Sequence, residues 1–172
     1  LVFCSEGNPE TLSPTLATTT TGMNATRPVF NNLVEFVPGT TQLAPALAES
    51  WTISEDGRDY TFRLRSGVKF HRNRLFTPTR DLNADDVVFS LTRQWKPKDP
   101  AAAAAFVYFG DMGMADLFES IERVDDRTVR IRLTRPEAPF LADMAMPFAA
   151  ILSAEYAAVL ERAGTPHLVD TE

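Results

Sequence analysis

Two histidines and a single cysteine are the side chains of this sequence best suited to nucleophilic or metal chemistry, and no motif organises them. His71 and His167 lie far apart, and neither an HExxH helix nor a CxxC pair occurs. There is also no GxSxG turn that would expose a serine next to a base. The residues therefore predict no catalytic site, no metal site and no cofactor, and a protein that is not an enzyme.

Two pairs of adjacent carboxylates, Asp85-Asp86 and Asp125-Asp126, are the next candidates for acid and base chemistry. Neighbouring side chains of a helix point about 100° apart, and neighbouring side chains of a turn usually both face water. Neither pair therefore resembles two carboxyl groups that converge on one bond. We interpret the first pair as the negative charge that a helix N-terminus favours, and the second as turn residues.

Four consecutive hydroxyl side chains, Thr18 to Thr21, precede Gly22 and Met23. Threonine is stiff at χ1, unlike the Gly and Ser residues of flexible linkers, so this run is not a spacer. It is predicted to be a loop, either purely structural or in contact with a ligand.

A second set, Phe106, Tyr108 and Phe109, lies in an aromatic stretch that ends at Gly110. The favoured interpretation of these three side chains is a hydrophobic plug beneath a loop. The wall of a ligand cleft is the alternative.

The elements that must position these residues begin with a first strand at Leu1–Phe3. A helix is predicted over residues 25–36, where apolar side chains recur at helical spacing. Asn24 or Thr26 would cap this helix, and Pro28 suits its first turn. The threonine run would then be the loop between strand and helix.

Two hairpins follow from alternating apolar and polar residues. The first joins residues 51–54 to 59–65 through an Asp56-Gly57 turn, and the second joins 121–124 to 128–133. An extended piece is predicted at residues 68–71.

Helices are predicted from Asn83, a natural N-cap, and over most of residues 139–160, with a break at Met146-Pro147. A loop running into a short helix is expected at Ala101–Ala105. The mixed order of strands and helices predicts an α+β fold with a mixed or antiparallel sheet.

The bulk composition is that of a globular core, with 44% apolar and 23% charged residues among 172. The net charge of −6 is spread along the chain without a basic cluster, so no nucleic-acid partner is predicted. No apolar run approaches the ~20 residues of a membrane span, so no direct membrane insertion is expected. Because the chain starts at Leu1 without a Met, we expect that an upstream signal peptide has been removed.

Several motifs, in order, resemble the peptide-binding class, family 5, of the periplasmic solute-binding proteins of ABC importers. They are Leu47–Trp51, Ser54–Gly57, Tyr60–Arg65, Gly67–His71 and Leu82–Ser90. Three further stretches most resemble the dipeptide-binding members of this class, namely Val2–Gly7, Gly39–Thr41 and Leu133–Asp143.

The resemblance implies a two-lobed fold that closes over a short peptide. Residues 1–31 would begin the lobe I core, subdomain Ia, and residues 32–172 would form the additional subdomain Ib. The rest of lobe I and all of lobe II would lie outside these residues. The implied function is capture of dipeptides or short peptides in the periplasm and delivery to an ABC permease in the inner membrane. The alternatives are another solute on the same scaffold, such as a nickel chelate, haem, glutathione or a sugar oligomer, and a stand-alone interaction domain or enzyme.

The resemblance also implies roles for individual residues. The cleft-lining segment of lobe I would be formed by Thr18, Thr19, Thr20, Thr21, Gly22 and Met23. Phe106 falls near an aromatic residue that covers the ligand in relatives. Cys4 matches a cysteine that forms a disulfide in dipeptide-binding relatives, although a buried, unpaired cysteine of the first strand is an equal alternative. The groups that hold the two ends of the peptide would belong to the second lobe.

Overall fold

The computed structural model describes residues 7–171, and it contains two antiparallel sheets flanked by helices. Strands β1 (Val34–Phe36) and β2 (Leu43–Pro45) form a two-stranded sheet. Four longer strands form the main sheet in the order β3-β4-β6-β5. They are β3 (Ala48–Ile53), β4 (Asp59–Leu64), β5 (Phe118–Asp125) and β6 (Thr128–Leu133). The predicted α+β class with antiparallel pairing is confirmed.

Both predicted hairpins are present in the main sheet. Strands β3 and β4 are joined by a turn in which Gly57 has φ +68°, a conformation that glycine adopts without steric cost. Every second residue of β4, namely Tyr60, Phe62 and Leu64, is buried, as the alternating pattern predicts. Strand β6 pairs with both β4 and β5 and lies in the centre of the sheet.

Helix α2 (Ala84–Trp95) covers the apolar face of the sheet. It begins as predicted at Asn83, whose side chain accepts a hydrogen bond from the Asp85 N–H while the Asp86 carboxylate accepts one from the Asn83 N–H. The buried side chains of Val87 and Leu91 contribute to the core. The interpretation of both aspartates as helix N-terminal residues is therefore confirmed.

The predicted helix over residues 25–36 is wrong. Helix α1 (Thr20–Thr26) starts earlier and is seven residues long, and β1 begins at Val34. The apolar residues that suggested a helix share no face, because Val29 is 54% exposed whereas Leu33 and Val34 are fully buried. The antiparallel pairing of Val34 with Pro45 determines the local structure here. The helical spacing of apolar residues within one segment carries no information about such a pairing.

Short helices complete the fold. A 3₁₀ turn at Pro100–Ala105 confirms the short helix expected there, and α3 (Val107–Asp111) and α4 (Met114–Leu117) follow it. Residues 139–160 are less helical than predicted, since α5 (Phe140–Asp143) and a 3₁₀ turn at Pro147–Ala149 precede α6 (Ala154–Arg162). The break at Pro147 is confirmed.

The remaining outcomes concern the segment before α2, the last residues, and the predictions that fall outside the described range. Residues 68–71 form no strand, although the Val68 carbonyl accepts a hydrogen bond from the Leu82 N–H. A 3₁₀ turn at Pro166–Asp170 follows α6. The predicted first strand and Cys4 lie outside the described residues, and the division at residue 31 stays a prediction. Within residues 7–171, no helix has both the length and the apolar character needed to cross a bilayer.

Candidate functional site

The threonine run is half loop and half helix, which corrects its prediction as a loop. Thr18 and Thr19 precede α1, and Thr20 and Thr21 form its first turn. The Thr19 side chain is the N-cap, with its oxygen accepting a hydrogen bond from the Gly22 N–H at 3.1 Å. Thr18, Thr19 and Thr20 are exposed. The run thus presents an ordered, accessible helix entrance.

Glu10 holds this entrance in place. One carboxylate oxygen, Oε1, accepts hydrogen bonds from the N–H groups of Thr18 and Thr19 at 2.7 and 2.8 Å. The other, Oε2, accepts a hydrogen bond from the Thr19 hydroxyl. These bonds, with that of the Thr19 hydroxyl contributing most, lower the pKa of Glu10 to about 2 from its ordinary 4.5. The carboxylate is therefore ionised at all physiological pH values.

Gly22 allows Glu10 to approach α1. A Cβ atom built on Gly22 would lie 2.6 Å from Oε2 of Glu10, which is far closer than two non-bonded atoms can come. Gly22 itself has no left-handed backbone conformation, so the consequence of a larger residue at this position would be steric contact with Glu10. Met23, the next residue, is half-buried.

The structure brings Tyr108, rather than Phe106, to the threonine run. The Tyr108 hydroxyl donates a hydrogen bond to the Thr18 carbonyl at 3.4 Å. Phe106 is only 5% exposed, and the guanidinium of Arg93 lies 5.3 Å from its ring centroid. Phe109 is also buried. Phe106 and Phe109 therefore match the hydrophobic plug, and Tyr108 is the aromatic residue in reach of the candidate site.

A groove of about 270 Å³ runs beside α1. Its wall includes Thr20 and Met23 from the predicted site, together with Asn24 and Arg27 farther along the helix. The opposite side is formed by Val34, Glu35, Phe36 and the residues around Met146. This groove therefore combines apolar surface with hydrogen-bonding groups, and it includes Met23, the last residue of the predicted ligand segment.

A larger and more apolar groove of about 450 Å³ lies on the other side of the same helix. Ala25 and Val29 reach it from the α1 side, and Leu47, Phe70 and Tyr156 line its far wall. His71 also borders it and is exposed. None of the predicted site residues Thr18 to Met23 lines this groove.

The remaining candidates are the possible metal ligands and the second aspartate pair. Among residues 7–171 no group of three His, Cys, Asp or Glu side chains is arranged to hold a metal ion. Asp125 accepts a hydrogen bond from the Arg127 N–H in the β5–β6 turn, which confirms the turn interpretation of that pair.

Sequence reasoning missed Glu10, and it named Tyr108 in the aromatic set without connecting that residue to the threonine run. Glu10 reaches residues eight and nine positions away, and Tyr108 reaches across 90 positions. No local pattern signals contacts at such separations.

Comparison with known proteins identifies the family. Residues 42–166 match the model described as "Bacterial extracellular solute-binding proteins, family 5 Middle". The chain belongs to this family. This family 5 chain is 53% identical over 99% of its length to the dipeptide-binding protein of Escherichia coli K12. It is 49% identical, again over 99% of its length, to the heme-binding protein A of Haemophilus influenzae.

The fold agrees with this membership. The dipeptide-binding protein of Pseudoalteromonas sp. SM9913 in complex with Met-Leu superposes with a TM-score of 0.92 at 39% identity, over 98% of this chain and 34% of that one. The predicted origin in a two-lobed periplasmic binding-protein fold is thereby confirmed. The family 5 chain spans about a third of the length of its relatives, 32% for both curated proteins above.

Proposed function

We propose that the chain is part of the substrate-binding component of an ABC importer that captures dipeptides or short peptides. The observation that carries this proposal is the 53% identity to a dipeptide-binding protein across 99% of the chain. Such a protein would bind its solute in the periplasm, release it to a permease of the inner membrane, and perform no chemistry on it.

The segment from Thr18 to Met23, with Tyr108 beside it, would provide one wall of the ligand site. The N–H groups of Thr18 and Thr19 are occupied by Glu10. Within residues 7–171, the N–H groups of Thr20 and Thr21 have no acceptor, because they belong to the first turn of α1. These two donors, with the exposed Thr18 and Thr20 hydroxyls, would serve the ligand.

Main-chain donors suit a protein that must accept many peptides. Hydrogen bonds to peptide carbonyl groups are independent of the ligand's side chains, and bridging waters can adapt to those that differ. The exposure of Thr18, Thr19 and Thr20 supports this role, since the segment is accessible before any ligand arrives. Phe106 would support the wall from behind.

Haem is the second candidate ligand, favoured by the 49% identity to heme-binding protein A. Nickel chelates, glutathione and sugar oligomers are weaker alternatives, because none of the relatives above is named for them.

The test is isothermal titration calorimetry of the complete gene product against Met-Leu and other dipeptides, tripeptides and haem. Saturable binding of dipeptides supports the proposal, and binding of haem alone favours the second candidate. If no peptide binds, the proposal is wrong. Mass spectrometry of the recovered dipeptide should show it uncleaved, and fractionation of the native cells should place the protein in the periplasm.

A further inference from the structure

We infer that Glu10 is a positioning residue for ligand binding, because its carboxylate fixes the backbone of Thr18 and Thr19 in the threonine segment. The inference rests on the proposed function of the threonine segment. Glu10 would not touch the ligand. It would hold the segment in its binding conformation before the ligand arrives.

The hydrogen bonds of Glu10 all converge on the residues just before α1. Its carboxylate receives two backbone N–H groups and one hydroxyl from Thr18 and Thr19. Both threonines are exposed, and a two-residue loop with exposed side chains has little packing to order it. The carboxylate thus replaces the packing that a buried loop would have. Two other side-chain hydrogen bonds support the segment, the Thr19 cap on the Gly22 N–H and the bond from the Tyr108 hydroxyl to the Thr18 carbonyl.

The position of Gly22 supports the same role. The carboxylate lies directly against α1, where any side chain at position 22 would collide with Oε2 at 2.6 Å. Glu10 and Gly22 therefore form a fitted pair, since a side chain at position 22 would displace the flexible end of Glu10 and, with it, the carboxylate that binds the threonine segment. A larger residue at position 22 would gain helix propensity and lose the close approach of Glu10.

Preorganisation gives the expected effect on affinity. A segment that is already ordered loses less conformational entropy when the ligand binds. We expect Glu10→Ala to weaken dipeptide binding by about tenfold in the complete gene product, a loss typical of one or two freed residues. Glu10→Gln should have a smaller effect, since its amide oxygen can still accept the two N–H groups.

The matched control is Glu55, an exposed glutamate in the turn between β3 and β4. Glu55→Ala removes the same charge and should leave the dissociation constant for Met-Leu unchanged. If Glu10→Ala binds Met-Leu as tightly as the wild type does, the inference is wrong. A fall in calorimetric stoichiometry at unchanged affinity would also overturn it, because it would show that Glu10 acts only on the fraction of folded protein.

A double-mutant cycle separates positioning from general loss of stability. Gly22→Ala should weaken binding in the wild type, since the new methyl group displaces the carboxylate. It should have little further effect in the Glu10→Ala background, where the collision is gone. Gly110→Ala, at a helical glycine with open space around it, is the control and should bind normally. Fully additive effects at positions 10 and 22 would contradict the fitted pair.

Hydrogen exchange without ligand distinguishes this inference from the proposed function. The amides of Thr18 and Thr19 should be protected in the wild type and exchange at least about tenfold faster in Glu10→Ala. If the wild type binds none of the peptides, the proposed function fails and the positioning role fails with it. If the wild type binds and Glu10→Ala loses amide protection but not affinity, only the positioning role fails.

Discussion

Arg80 and Asp86 form a two-pronged ion pair, with Nη1 2.6 Å from Oδ2 and Nη2 2.9 Å from Oδ1. The Asp86 side chain is fully buried, and it also accepts hydrogen bonds from the N–H groups of Asn83 and Ala154 at 2.9 and 2.8 Å. A single carboxylate thus joins the beginning of α2 to the beginning of α6. Its charge is balanced by Arg80, and its oxygens are satisfied by backbone donors.

Asp86→Ala is expected to destabilise the fold by about 3 kcal/mol. The substitution leaves Arg80 without its partner and two backbone N–H groups without an acceptor. Urea unfolding monitored by circular dichroism measures the change.

Asp85→Ala is the control, because the Asp85 carboxylate is half exposed and pairs with Arg123 only at 3.3 Å. It should cost less than about 1 kcal/mol. Equal losses for the two variants would contradict the structural role of Asp86.

Phe106→Ala is expected to lower stability by about 3 kcal/mol, the typical cost of truncating a buried aromatic residue. The ring is 5% exposed and lies against the Arg93 guanidinium, so its loss removes packing from the core. Phe106→Leu keeps most of the apolar volume and should retain both stability and dipeptide affinity. Thermal unfolding and calorimetry of both variants measure the two effects. Loss of affinity in Phe106→Leu at unchanged stability would show that Phe106 covers the ligand directly.

The hairpins and α2 were predictable because their determinants are local. Alternation in β4, glycine at position 57 and the N-cap Asn83 each act within a few residues. Helix α1 offered no such signal, since its seven residues carry a single large apolar side chain, Met23, and depend on the cap at Thr19. Strand β1 could not be predicted from the local sequence either, because a strand of three residues is determined by its pairing with β2.

The candidate site depends on contacts that no spacing rule reports. The resemblance predicts that the threonine run lies in the ligand wall, but it does not reveal what orders that run. Glu10 and Tyr108 act on it from separate parts of the chain. Asp170 likewise makes contacts that are distant in sequence, because it accepts a hydrogen bond from the Ser13 hydroxyl at 2.8 Å and pairs with Arg93. Tertiary packing decides these pairings.

Thr19→Ala is expected to raise the pKa of Glu10 from about 2 toward its ordinary 4.5, because the Thr19 hydroxyl is the largest cause of the shift. A carboxylate with a lowered pKa stabilises the folded state above pH 4.5, and this contribution is lost as the pH falls toward 2. In Thr19→Ala the acid-dependent loss should be smaller. Carbon-13 NMR titration of the Glu10 carboxyl measures the pKa directly.

The control for this prediction is Thr19→Ser, which retains both the hydroxyl and the N-cap. Its Glu10 pKa should stay near that of the wild type. Thr20→Ala, at the neighbouring exposed position, should also leave it unchanged. A Glu10 pKa that does not move in Thr19→Ala would mean that the two backbone N–H groups alone account for the shift.

Asp143→Asn is expected to stabilise the protein at neutral pH. The Asp143 side chain is almost fully buried, and burial, with the nearby Glu137 charge, raises its pKa above the ordinary 3.8. An acid with a raised pKa favours folding when protonated, so its ionisation reduces stability as the pH rises from 3.8 through the folded-state value. Asparagine cannot ionise and avoids this loss.

Thermal unfolding between pH 3 and 8 should therefore show a higher midpoint for Asp143→Asn at pH 7 and no advantage below the ordinary pKa. Asp116→Asn, at an exposed aspartate, should show no such pH-dependent gain. An Asp143→Asn variant that is less stable at pH 7 would mean that the carboxylate makes a favourable interaction when ionised.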